Sequence, residues 1–221
     1  MADALTGFGW ATWSPSFLRV GDRGGAWPGM MEDVGRSLDL LRELGLEYEL
    51  DLRRVATIGH SSGGHLALWL AARTALPSSG DGVRLRGSDP LGVAAVVGLA
   101  PITGLLDFHT RADRGCPRAA VADLLGGAPA RVPTRRALAD PQALVPLGVP
   151  QLLLTGGLDD TVPTAHVEGY ARAAAAAGDR VELIEVPDAG HFELVAPDHE
   201  SWGARTGPAI REFLARVPSG R

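Results

Sequence analysis

The chain has 221 residues, 45% hydrophobic and 21% charged, with a mean hydropathy of +0.06, which is the profile of a globular chain long enough for one α/β domain. A formal net charge of −5 offers no basic stripe for nucleic acid. The longest apolar run, Leu91 to Pro101, is about half of the roughly 20 residues of a membrane span. All 21 basic residues are arginine, which excludes a Schiff-base lysine, a Ser-Lys dyad and a phosphate-loop lysine. Cys116 is the only cysteine, so no internal disulfide can form. The acidic start Met1-Ala2-Asp3 lacks the basic and apolar blocks of a secretory leader, and a cytoplasmic location is the expectation.

Short apolar runs rich in β-branched residues alternate with helical patterns, the sign of βαβ units and a mainly parallel sheet flanked by helices. A first strand is expected near Trp10 to Trp13. The glycine-rich stretch Gly21 to Gly29 leads into a helix over Met30 to Leu44, where Met30, Val34, Leu38 and Leu41 share one face. A strand at Val55 to Gly59 is followed by a turn at Ser61 and a helix from Gly63 to Arg73. Val93 to Leu99 reads as a central strand. Residues 101–146 lose the rhythm, with one helix at Arg118 to Leu125, and are expected to form a cap-like insertion over the site. The strand Gln151 to Thr155, the alanine-rich helix Ala165 to Ala177, the strand Val181 to Val186 and the helix Gly207 to Val217 complete a single domain.

Gly59-His60-Ser61-Ser62-Gly63 is a weak match by itself and a strong one in its setting. A strand that turns sharply into a helix strains the intervening serine and leaves its hydroxyl at the strand's carboxyl end. The helix N-terminus then directs free N–H groups, Ser62 first, at developing negative charge. Serine needs a base, and the base needs an orienting acid. Asp159 follows the Gln151 strand and His191 follows the Val181 strand, so both emerge on the sheet edge that carries Ser61. Asp160 is the rival acid, but Asp159 better fits the Asp-x-x-Val-Pro spacing. His60 and His65 match no zinc spacing and read as packing or hydrogen-bonding residues around the turn. His109, His166 and His199 read as surface residues. Cys116, without a strand-turn-helix setting, is rejected as a nucleophile. Trp10, Trp13, Trp27 and Trp69 read as core or pocket wall, with core the simpler reading. No metal or cofactor site is apparent, and the oligomeric state is not legible.

The chain resembles the esterase/kynurenine formamidase-like branch of the α/β-hydrolases. The resemblance rests on Leu18-Arg19-Val20-Gly21 through Gly25-Ala26-Trp27-Pro28-Gly29, on Gly59 through Ala67, on Asp159-Asp160-Thr161-Val162-Pro163 and on Gly190-His191-Phe192-Glu193. It implies an α/β-hydrolase fold and hydrolysis of a small ester or amide, with an aryl formamide as one candidate. The reaction would run through an acyl-serine without a cofactor, with Ser61, His191 and Asp159 as triad. Two rivals stand beside this reading: a peptidase resembling the prolyl oligopeptidase family, and an inactive remnant of the fold. The chain departs from the family by lacking a His-Gly-Gly loop before Ser61, which leaves the Ser62 N–H as the surviving oxyanion donor. The strand that would lie between the Trp10 strand and the Val55 strand is also missing, and the expectation is a start internal to a longer product.

Overall fold

The structure, a computed structural model, describes residues 1–111 and 119–217, so Cys116 and Arg118 lie outside the described residues. In chain order the elements are α1 (Ala2–Thr6), α2 (Gly29–Asp39), α3 (Leu41–Glu47), β1 (Ala56–His60), α4 (Ser62–Ala72), α5 (Asp81–Arg86) and β2 (Ala95–Leu99). They continue with α6 (Leu105–Arg111), α7 (Ala120–Leu125), α8 (Pro133–Ala139), β3 (Gln151–Gly156), α9 (Thr164–Ala176), β4 (Val181–Val186) and α10 (Gly207–Ala215). The four strands pair in the order β1-β2-β3-β4, every pair parallel. β2 and β3 are buried along their whole length, which is why both lack the alternation of a one-faced strand. Because all four strands run the same way, the loops after β1, β3 and β4 leave one edge of the sheet, and that edge carries Ser61, Asp159 and His191.

The helix expected over Met30 to Leu44 is two helices that meet at Leu40. The predicted face is buried, with Met30, Val34, Leu38 and Leu41 all in the core. At the joint, the Ser37 C=O, which an unbroken helix would give to the Leu41 N–H, accepts from the Trp13 indole N–H at 3.3 Å. Arg73 ties this layer to the rest of the chain. Fully buried at the end of α4, it donates to the C=O of Gly35 at 3.0 Å, the C=O of Leu85 at 3.0 Å and the Asp39 carboxylate at 2.8 Å.

Two further expectations need correction. Trp10 to Trp13 is not a strand: residues 10–19 have no regular structure and are separated from β1 by a cavity of about 1150 Å³ lined by Trp10, Trp13, Phe17, Leu38, Ile58 and Leu66 among others. An extended segment becomes a strand only when a neighbour takes its backbone groups, and here the nearest strand stands across a gap. Trp13 is consequently 47% exposed, whereas Trp69 is fully buried and donates to the Leu138 C=O at 2.8 Å. The described residues of 101–146 hold three α-helices, because α6 and α8 accompany the expected one; their runs are too short to show a clear helical period in the sequence.

The gap leaves β1 as an edge strand. Ser61 N–H donates to the Leu99 C=O at 2.9 Å and Ala94 N–H to the Val55 C=O at 2.7 Å, so the odd-numbered residues face β2. The alternation of the ladder turns the backbone groups of Ala56, Ile58 and His60 the other way, where no described strand pairs with them. In native-state hydrogen exchange, the Ile58 and His60 amides should therefore exchange faster than those of Gly59 and Ser61. Equal protection along the strand would show that the edge is covered.

Candidate active site

β1 ends at His60 and α4 begins at Ser62, so Ser61 alone makes the turn, at φ 56° and ψ −119°. A non-glycine residue in this region is strained by about 1–3 kcal/mol and persists only where its surroundings fix it. They do so through three backbone bonds: Ser61 N–H to Leu99 C=O at 2.9 Å, and Ser61 C=O accepting from His65 N–H at 3.0 Å and Ile102 N–H at 3.2 Å. The two motif glycines are not equivalent. A Cβ on Gly59 would stand 2.0 Å from the Gly63 C=O, while a Cβ on Gly63 would meet nothing within 4 Å. The first is therefore required by close approach and the second is not.

Asp159 follows β3 and is almost completely buried. Its Oδ1 accepts from the N–H groups of Thr161 and Val162, both at 2.8 Å, and its Oδ2 accepts from His191 Nδ1 at 2.7 Å. Burial pushes this carboxyl up, but the His191 hydrogen bond and the two backbone donors outweigh it and hold the group below its ordinary value of 3.8. The carboxylate is thus ionised at neutral pH, and it fixes the His191 proton on Nδ1, leaving Nε2 free to accept. Asp160 is exposed and makes no hydrogen bond to His191. The loops after β3 and β4 pack so closely that a Cβ on Gly156 would lie 2.4 Å from the Ala189 C=O.

The structure thus brings Asp159 to His191 and places His191 against the strand end that carries Ser61, since the His60 and His191 rings lie 4.4 Å apart. Among the described residues, Ser61 Oγ makes no hydrogen bond to His191; such bonds are often long in the absence of substrate and tighten on binding. Ser62 N–H, at the N-terminus of α4, is left without an acceptor among the described residues. No group of three or more metal-ligating side chains occurs among the described residues, and none of their helices is long and apolar enough to cross a membrane.

His65 is buried beneath the turn, and burial pushes its imidazole down to about 4, so it packs as a neutral ring. His166 departs from its expected surface position. It is buried, with Nδ1 2.9 Å from Asp107 Oδ2 and Nε2 accepting from Thr103 N–H at 3.0 Å, and so ties the segment after β2 to α9. No sequence pattern singles out this contact, because its partners lie about 60 residues away. His109 is half-buried and His199 exposed. The contacts of His60 with His191 are the main feature of the site not read from the sequence. The one available signal was its position, adjacent to Ser61 at the carboxyl end of a strand.

The BD-FAE family model matches residues 1–172. The chain belongs to the BD-FAE family. Among solved structures it is similar to a lipase/esterase from Lactobacillus plantarum, with a TM-score of 0.75 at 17% identity over 100% of this chain and 78% of that one. It is also similar to a truncated carbohydrate esterase from gut microbiota, with a TM-score of 0.69 at 21% identity over 87% of this chain and 69% of that one. An acetyl ester-xyloside bifunctional hydrolase from Caldicellulosiruptor lactoaceticus gives a TM-score of 0.67 at 21% identity over 89% and 68%. No curated protein matches the chain. The likeness to these structures establishes the α/β-hydrolase fold.

The unequal glycines give a paired prediction. Gly59→Ala should abolish folding of the turn, with loss of at least several kcal/mol of stability or of the native state. Gly63→Ala should leave the melting temperature within a few degrees of the parent, about 1 kcal/mol or less. Equal tolerance of both substitutions in thermal melts would contradict the turn geometry.

Proposed function

We propose that this chain is a serine hydrolase that cleaves a small carboxylic ester or amide through an acyl-serine intermediate, with Ser61 as nucleophile, His191 as general base and acid, and Asp159 as the orienting acid. The observation that carries the reading is the 2.7 Å hydrogen bond from His191 Nδ1 to a buried, doubly backbone-bonded Asp159, set against the Ser61 turn. With the Nδ1 proton so held, His191 Nε2 takes the Ser61 proton as Oγ attacks the carbonyl carbon. The tetrahedral oxyanion is met by Ser62 N–H at the head of α4. His191 then gives its proton to the leaving group, which departs as alcohol or amine. Water, deprotonated by His191, hydrolyses the acyl-serine and restores the free enzyme. No step calls for a cofactor.

Two substrate classes are carried forward. The named activities of the structural neighbours point to esters, the carbohydrate esterase and the acetyl ester-xyloside hydrolase among them. The esterase/kynurenine formamidase resemblance adds aryl formamides. The second reading, an inactive remnant of the fold, is favoured by the edge of β1, which no described strand covers.

Hydrolysis of a short-chain aryl acetate and of a formylated arylamine separates these readings. Turnover of either should fall by about 10³–10⁴-fold in Asp159→Asn and at least as far in Ser61→Ala. Asp160→Asn should stay close to the parent. No turnover by the folded parent of these or of a prolyl peptide ester would support the remnant.

A further inference from the structure

The catalytic base sits on a loop and not on a regular element. The backbone bonds that hold this loop to its surroundings involve Val186 and Ala189: Gly157 N–H to Val186 C=O at 2.9 Å, Ala189 N–H to Val186 C=O at 3.1 Å and Leu158 N–H to Ala189 C=O at 3.0 Å. None of these three involves Gly190 or His191. Among the described residues, the one hydrogen bond on the His191 backbone comes from a side chain: His60 Nε2 lies 2.8 Å from the His191 C=O. A carbonyl can only accept, so His60 carries its proton on Nε2. The same ring lies 4.4 Å from the His191 imidazole at an interplanar angle of 50°, and 5.7 Å from the Phe192 ring.

We infer that His60 is a positioning residue for the catalytic base: its Nε2–H clamps the His191 carbonyl while its ring walls one side of the His191 imidazole. The inference rests on the triad reading above. Asp159 alone restrains His191 at the Nδ1 corner and leaves free a swing of the loop about that contact. His60 supplies the second point. Because it is the last residue of β1, the restraint is tied to the same strand end that presents Ser61, so nucleophile and base share one rigid reference. Burial first, and the neighbouring His191 second, hold His60 below its ordinary value, which keeps it neutral beside the imidazolium that forms in turnover. A cation there would oppose that step.

Proton NMR of the folded 221-residue chain tests this without requiring turnover. The His191 Nδ1–H shared with Asp159 should give a downfield resonance that vanishes in Asp159→Asn. His60→Phe keeps an aromatic ring and removes the donor; it should broaden or abolish that resonance through faster exchange with water. His60→Gln restores an N–H donor at similar reach and should bring the resonance back. With a substrate that the parent turns over, His60→Phe should lower kcat by on the order of 10–10²-fold at nearly unchanged KM, and His60→Gln should recover most of it. A sharp resonance in His60→Phe, or its loss in a His60→Gln variant that melts like the parent, would overturn the inference. Absence of the resonance from the parent itself would instead remove the triad reading on which it rests.

Discussion

Everything proposed for this molecule depends on one strained residue. Ser61 occupies a conformation that an L-residue avoids, and it stays there because β2, the segment after β2 and the first turn of α4 each take one of its backbone groups. The strain of about 1–3 kcal/mol is small against the packing of β1 and α4 around it. The same bonds set the frame for the partners. Ile102, which donates to Ser61, opens the segment that Thr103 and His166 fasten to α9, so Ser61 and the segment after β2 are braced together.

Parallel strands supply the rest of the geometry. Asp159 and His191 meet because β3 and β4 are adjacent and run in the same direction, and because Gly156 lets the two loops touch. The proposed chemistry uses residues that leave one edge of the sheet after β1, β3 and β4, with β2 between Ser61 and Asp159. Electrostatics then refines the arrangement: the donors that the Asp159 carboxyl gains on folding hold it below its ordinary value, and burial holds the neighbouring His60 below its own.

Much of this was legible in the sequence, for physical reasons. Four of the strands expected from apolar runs are present, because β2 and β3 are buried on both faces and leave an unmistakable composition. The order Ser61, Asp159, His191 was readable because a parallel sheet converts chain order into spatial order. What was not legible depends on partners distant in sequence. Trp10 to Trp13 has the composition of a strand but no neighbour within bonding reach, and composition does not report whether a neighbour exists. The break at Leu40 coincides with an indole N–H from 24 residues upstream, and the burial of His166 follows from Asp107 and Thr103 on another element. Nor does the Gly-x-Ser-x-Gly pattern tell that its two glycines differ, since only the approach of the Gly63 carbonyl to Gly59 makes the first indispensable.

The proposed function requires that the four-stranded sheet assemble a reactive Ser61. Labelling of the folded chain with a fluorophosphonate, mapped by peptide mass, tests it most directly, because the reagent reports an activated serine whatever the natural substrate is. One adduct is expected, on Ser61, absent from Ser61→Ala and strongly slowed in His191→Ala. A folded chain that takes up no label, or takes it up on another residue, would rule out Ser61 as the nucleophile.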